Sequence, residues 1–316
     1  MKTPNWFLKR NIVSFALWPL SLFYRFGSKT VFNIRKKHAY ISRRPIVCFG
    51  NILAGGVGKT PIVRNIAKYF DAPVVMRGYK TSKETNYIGD EAKMLSSDGI
   101  LVHVGNRKSN LILLNKQKSK TPIIMDDGFQ NSSIKKDISV LVFDESIGFG
   151  NGFLLPAGPL REPKSAIRKA DAIIVIKNKD VAPDFALPTN IPMFYAHNQT
   201  ICPYDKNANI LAFAGIGYPN KFFNAIDANV VGTVAFPDHY QYKDDDIKDL
   251  IETAKDNNAK LLTTEKDWVR LPDWAKKEIK FAKLNTEIDG NFYDWLKNKI
   301  NNIKQGDVND NCNKKC

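Results

Sequence analysis

The sequence predicts an α/β protein: a parallel sheet flanked by helices, a second and smaller α/β domain, and a hydrophobic, basic helix at the N-terminus. Three observations carry this reading. From Pro45 onward, short β-branched runs alternate with helical stretches, as in strands joined by crossover helices. The first of these runs are apolar throughout, as in strands covered on both faces. A polar stretch at residues 198–208 then interrupts the pattern, and strand-like runs resume beyond it. With 316 residues, 43 % of them hydrophobic, the chain has material for two cores.

Residues 1–35 form the first segment. The formal charge of the chain is +15, no acidic residue precedes Asp71, and residues 1–70 hold thirteen Lys and Arg. Residues 12–26 are almost wholly apolar, with Lys9 and Arg10 before them and Arg25 near their end. This run is short of the roughly 20 residues needed to span a bilayer, and Pro19 would kink a helix through it. It reads as a signal peptide, as a core helix, or as a helix lying in a membrane interface. No small-residue cleavage site supports the first reading. The third is favoured: Trp6, Phe7, Trp18 and Phe23 would sit at the acyl boundary, and the Lys and Arg would meet anionic head groups. A basic excess also suits nucleic acid, but a nucleic-acid binder calls for stacking aromatics on a folded surface, not a hydrophobic anchor.

Residues 36–200 carry the main domain, with strands expected at 45–50, 72–76, 100–104, 122–126, 138–143 and 172–177. Between the first strand and the following helix stands Leu-Ala-Gly-Gly-Val-Gly-Lys-Thr, residues 53–60. A glycine-rich turn from strand to helix lets backbone N–H groups curl around phosphate oxygens at a positive helix end. Gly55, Gly56, Val57 and Gly58 would line such a phosphate-binding loop (P-loop). Lys59 would reach the β- and γ-phosphates, and Thr60 would offer its hydroxyl to Mg²⁺. The usual first glycine of the motif is replaced by Leu53. The strand at 122–126 ends in Asp126 and Asp127, where a P-loop protein keeps the carboxylate of its magnesium shell. A GTPase would carry Asn-Lys-x-Asp after a late strand. Here Asn178, Lys179, Asp180 and Val181 put the Asp one position early, so ATP is the expected nucleotide.

Residues 205–300 form the smaller domain, with strands expected at 210–214, 230–235 and 260–264, and residues 301–316 a polar, frayed tail. The cysteines, Cys48, Cys202, Cys312 and Cys316, form neither a disulfide framework nor a zinc pattern and suit a reducing compartment.

Several further motifs occur in a telling order. They are Arg77-Gly78-Tyr79, Gly89-Asp90-Glu91, Asp-Asp-Gly-Phe-Gln at 126–130, and Leu-Leu-Pro-Ala-Gly-Pro-Leu-Arg-Glu-Pro at 154–163. Phe-Pro-Asp-His-Tyr at 236–240 and Thr-Thr-Glu-Lys-Asp at 263–267 follow. Together with the P-loop they resemble the tetraacyldisaccharide 4′-kinase family of lipid A synthesis, over most of the chain. Two positions depart from that pattern: Asn131 stands where the family often has His, and Met76 where it tends to have Ser.

The resemblance implies an ATP- and Mg²⁺-dependent kinase. It would phosphorylate the 4′-hydroxyl of a tetraacylated diglucosamine 1-phosphate to give lipid IVA. It implies a monomer held peripherally at the cytoplasmic face of the inner membrane, with no nucleic-acid partner. It also implies that Asp90 and His239 act as a catalytic dyad beside Lys59, in a site between the two domains. Asp90 reads equally as a helix cap, since it opens a helical stretch. Among the other histidines, His38 and His103 read as structural and His197 has no evident role. Arg77, Arg161 and Glu162 could contact phosphate or metal, or could form internal ion pairs. Two other activities fit the P-loop alone: a kinase with a soluble acceptor, and a membrane-tethered nucleotide switch.

Overall fold

The computed structural model describes residues 4–77, 89–177 and 186–313, with side chains to Ile303. Gly78, Tyr79, the stretch 178–181 and the Cys312 and Cys316 side chains lie outside the described residues.

In chain order the elements are α1 Asn5–Leu8, α2 Ile12–Lys37, β1 Ile46–Gly50, α3 Lys59–Phe70, β2 Val74–Met76, α4 Asp90–Ser97, β3 Val102–Val104 and α5 Arg107–Leu114. Then follow β4 Ile123–Asp126, β5 Ile138–Asp144, β6 Ala172–Lys177, β7 Met193–Ile201, β8 Asn209–Ala214, α6 Pro219–Phe223 and β9 Asn229–Ala235. The chain closes with α7 Asp244–Asp256, β10 Lys260–Thr264, α8 Glu265–Trp268, β11 Lys280–Ile288 and α9 Gly290–Asn313.

The chain divides into two compact units. The larger holds Pro4–Ile88, Asp98–His197 and Glu287–Cys316. Its strands run β3-β2-β4-β1-β5-β6-β7, and each described pairing among them is parallel. β1, β4 and β5 are buried along their whole length, as their unbroken apolar runs require. Ile46, Cys48, Val75, Ile123 and Met125 pack beneath Leu111 and Leu114 of α5. Although α9 closes the chain, it belongs to this unit. Phe292, Leu296 and Ile300, spaced one helical turn apart, are its buried stripe, and Phe292 meets Phe49 and Phe194 edge to face.

The smaller unit holds Gly89–Ser97 and Asn198–Thr286, so it includes α4, which precedes the main Asp-Asp strand in sequence. Its strands run β11-β10-β8-β9, with the described pairings parallel. β8 alternates strictly. Leu211 and Phe213 face Ile247 and Leu250 of α7, while Ile210, Ala212 and Ala214 face Phe222 and Phe223 of α6.

α2 opens with a reciprocal capping box between Asn11 and Ser14 and ends on Arg35, Lys36 and Lys37, a favourable charge arrangement for a helix dipole. It runs through Pro19 for 26 residues. A proline interrupts one intrahelical bond without ending a helix that is held elsewhere. No helix among the described residues is long and apolar enough to cross a membrane. The backbone of α9 stays helical to Asn313, past the point where composition suggests a polar tail.

Candidate active site

The end of β1 leads into the glycine-rich loop, and α3 begins at Lys59. Gly58 occupies the N-cap position with φ 76°, a left-handed backbone that favours glycine. Gly50 is needed for a different reason. A Cβ there would stand 2.5 Å from the Cβ of Phe129, so the Asp-Asp-Gly-Phe-Gln loop lies directly against the strand that feeds the P-loop. The Gln130 Nε2 donates to the Asn51 carbonyl at 2.7 Å and reinforces that contact.

Parallel pairing of β1 with β4 sets Phe49 opposite Asp126, which brings the carboxylates level with the start of the loop. Asp126 is buried. Asp127 follows with φ 47°, a left-handed conformation that Asp tolerates better than most residues. Its carboxylate is held by the Lys59 Nζ at 3.1 Å and by the Arg161 Nη1 at 2.9 Å and 3.2 Å. Burial works against its charge, but Lys59 and Arg161 outweigh that effect and hold its pKa down to about 2. Beneath the pair, the Arg107 Nη2 donates to the Asp126 carbonyl at 2.6 Å and to the Asp127 carbonyl at 3.1 Å. Lys136 donates to the carbonyls of Phe129 and Asn131 at 2.8 Å and 2.9 Å. Sequence reasoning passes over both cations because no motif marks them.

Leu53, the irregular member of the P-loop, is buried and bridges to Leu160. On either side, Ala54 donates to the Pro159 carbonyl at 2.7 Å and the Arg161 N–H to the Ile52 carbonyl at 2.7 Å. The Pro-Ala-Gly-Pro-Leu-Arg-Glu-Pro segment is thus laced to the loop, and this lacing aims Arg161 at Asp127. The same segment receives α2: Ser21 donates to the Leu154 carbonyl at 2.9 Å and the Tyr24 hydroxyl to the Arg161 carbonyl at 3.2 Å.

The other candidates fall elsewhere. Glu162 pairs with Lys169 at 2.7 Å and not with the Asp127 cluster. Arg77 is exposed just after β2, the neighbour of β4. Thr60 is buried in the first turn of α3. Asn131 accepts from the N–H and hydroxyl of Ser133 at 3.0 Å and 2.7 Å, closing a turn. His38 ends α2, His103 lies in β3 and His197 in β7.

In the smaller unit Asp90 is the first residue of α4, and its Oδ2 lies 3.3 Å from the Nδ1 of His239. His239 sits in the loop after β9 with φ 59°. The hydrogen bond to Asp90 raises the imidazole pKa; burial and Arg270 pull it back, and Asp238 adds to the rise. Lys266 pairs with Glu91 at 2.9 Å.

A cation-clamped carboxylate beside a glycine-rich strand-to-helix turn, on a parallel sheet, is the arrangement of the P-loop nucleotide-binding class. The family model described as tetraacyldisaccharide-1-P 4′-kinase matches residues 13–301, and the chain belongs to that kinase family. The tetraacyldisaccharide 4′-kinase of Rickettsia bellii is 35 % identical over 296 residues, covering 85 % of this chain and 89 % of the relative. That of Paramagnetospirillum magneticum is 35 % identical over 315 residues, covering 92 % and 94 %. The crystal structure of LpxK from Aquifex aeolicus in complex with ATP matches with a TM-score of 0.74 at 25 % identity, covering 92 % of this chain and 99 % of that one.

Proposed function

We propose that this chain transfers the γ-phosphate of ATP to the 4′-hydroxyl of a tetraacylated diglucosamine 1-phosphate, giving lipid IVA. The observation that carries the site assignment is the Asp127 carboxylate clamped by Lys59 and Arg161 at the P-loop. Lys59 would leave this pair to meet the β- and γ-phosphates, and the loop N–H groups from Gly55 to Gly58 would cradle them. Arg161 would remain to balance charge on the transferring phosphoryl group.

Mg²⁺ fits the donor set. Asp126, Asp127 and the Thr60 hydroxyl would offer it oxygen donors at the end of β4 and the start of α3. That suits an ion held by one or two carboxylates together with substrate phosphates. When bound, it would neutralise charge between the β- and γ-phosphates.

Asp90 and His239 would serve the acceptor. With its Nδ1–H donated to Asp90, the neutral imidazole keeps a lone pair on Nε2. As the acceptor oxygen bonds to the γ-phosphorus and the bond to the ADP oxygen breaks, Nε2 takes the hydroxyl proton. An alcohol is too weak an acid to ionise beforehand, so proton loss accompanies transfer.

α2 supports attachment at a membrane surface. Two of its serines, Ser14 and Ser21, face the protein and are buried, whereas Phe15, Trp18, Phe23 and Phe26 are exposed, Phe23 by 75 %. An apolar face turned outward, with basic residues at its ends, suits a helix lying in an anionic interface. We place the enzyme there as a peripheral monomer on the cytoplasmic face of the inner membrane.

The test is an assay with γ-labelled ATP and the acylated disaccharide 1-phosphate, locating the new phosphate on the product. Label at the 4′-position, lost in a folded Lys59→Ala variant, is the expected result. Label elsewhere, or persisting in that variant, would overturn the assignment.

A further inference from the structure

We propose that Arg270 is a positioning residue for the Asp90–His239 pair, one that fixes the carboxylate and sets the basicity of the imidazole. The inference rests on the reading of that pair as the proton acceptor.

The groups form a stack of decreasing exposure. The His239 side chain is 66 % exposed, Asp90 4 % and Arg270 1 %, and Asp267 is fully buried below them. The Arg270 Nε lies 3.0 Å from the same Asp90 Oδ2 that meets His239. Its Nη2 lies 3.3 Å from the Asp267 Oδ1. Asp267 is itself held by the Gly215 N–H at 2.9 Å, the Tyr242 hydroxyl at 2.8 Å and the Thr264 hydroxyl at 2.6 Å. A guanidinium buried between two carboxylates in this way cannot turn without leaving a charge uncompensated.

Arg270 also grips the backbone that holds the histidine. Its Nη1 donates to the Gly215 carbonyl at 3.3 Å and the Tyr240 carbonyl at 3.1 Å, and the Gly215 carbonyl accepts the His239 N–H at 3.0 Å as well. A left-handed φ at a non-glycine residue is costly and persists where neighbours over-determine it. Here one side chain holds the carbonyl of the next residue, the Gly215 carbonyl that accepts the His239 N–H, and the carboxylate its ring must meet. A guanidinium supplies donors in the needed planar fork, which an ammonium does not.

The electrostatic consequence has a definite sign. The charged groups acting on His239 are Asp90 from α4, Asp238 on its own loop and Arg270 from the turn after α8; on the same elements Glu91 is paired with Lys266 and Asp267 with Arg270. Asp90 alone would favour the imidazolium, which cannot accept a proton. The Arg270 charge opposes that and lowers the His239 pKa, so the neutral ring survives at a lower pH.

The experiment is the pH dependence of kcat in Arg270→Gln, paired with an NMR titration of the His239 ring, one of four histidines in the chain. The acid limb of kcat and the ring titration should move together to higher pH by about one unit, with KM for ATP within about twofold. If Arg270→Gln does not fold, Asp267→Asn carries the test with the opposite sign. Removing that anion leaves the Arg270 charge less balanced, and both readouts should move to lower pH. Unmoved limbs and titrations in the folded variants, even with lowered kcat, would reduce Arg270 to a structural role and overturn the proposal. Unchanged kcat in His239→Gln and Asp90→Asn would instead remove the proton-acceptor reading on which it rests.

Discussion

Replacing Asp127 with Asn separates the ion cluster at the P-loop from its hydrogen bonds. Asn keeps the size and the left-handed backbone that this position adopts, with φ 47°, so the change is one of charge. The drop from 3.8 to about 2 corresponds to roughly 2.4 kcal/mol of preference for the carboxylate in the folded state. With the side chain 31 % exposed, solvent screening brings this to about 1–2 kcal/mol. The folded pKa lies below the unfolded one, so this stability is fully present above the ordinary value near 4 and is lost as pH falls through about 2. The deficit of Asp127→Asn should be constant from pH 5 to 8, roughly halved near pH 3 and nearly gone at pH 2. Urea unfolding of the nucleotide-free protein, followed by tryptophan fluorescence, reads this directly. Turnover with Mg²⁺ and ATP should fall at least about 10–100-fold, since the same carboxylate is assigned to the metal shell. A deficit of equal size at pH 7 and pH 3 would show that charge is not what holds the cluster, and normal turnover would remove Asp127 from the reaction.

Asp90→Ala and His239→Ala should each lower kcat about 10²–10⁴-fold, and the double variant should be little worse than the weaker single one; multiplied losses in steady-state assays would mean that the two act separately. Leu53→Ala should cost about 2–5 kcal/mol in denaturant unfolding and raise KM for ATP, because this P-loop side chain is fully buried; an unchanged KM would deny the loop that support. Phe23→Asp should cut sedimentation with anionic vesicles while sparing the fold, and binding of the wild type should weaken with added salt; equal binding by the variant would mean that α2 is not the contact.

Much of the larger unit could be read from the chain because its signals are local. The strands β1, β2 and β4 to β6 are largely apolar runs that are buried almost throughout, as parallel strands covered on both faces require, whereas β3 is a half-buried Val-His-Val. β7 and β11 escaped the same template for a physical reason. They are half exposed and alternate, so Asn198, Thr200, Lys280 and Lys283 look like loop residues until the strand is seen. The P-loop and the Asp126/Asp127 pair were legible as motifs, but their mutual placement depends on the Phe49–Asp126 register, which no single segment encodes. Arg107 and Lys136 are invisible for a related reason: each supports the site through main-chain carbonyls, and carbonyls leave no trace in composition.

The Pro-Ala-Gly-Pro-Leu-Arg-Glu-Pro segment marks the limit of motif reading most clearly. Its strict order suggests a function, yet the motif alone separates no catalytic residue from a structural one. In the fold, Leu160 meets Leu53, Pro159 and Arg161 bond to the P-loop backbone, and Arg161 reaches Asp127. Its carbonyls also receive Ser21 and Tyr24 of α2. The helix with the outward apolar face and the glycine-rich loop are therefore joined through one segment. That connection also explains why the two buried residues of α2 are polar. Ser14 and Ser21 stand seven positions apart, two helical turns, and so point the same way. Ser14 closes the cap with Asn11, and Ser21 docks on the Leu154 carbonyl. With the polar stripe used for docking, the apolar stripe is left facing outward, the reverse of an ordinary surface helix. Hydrophobicity in the sequence announces the helix, and the burial of Ser14 and Ser21, though not of Ser28, gives its orientation.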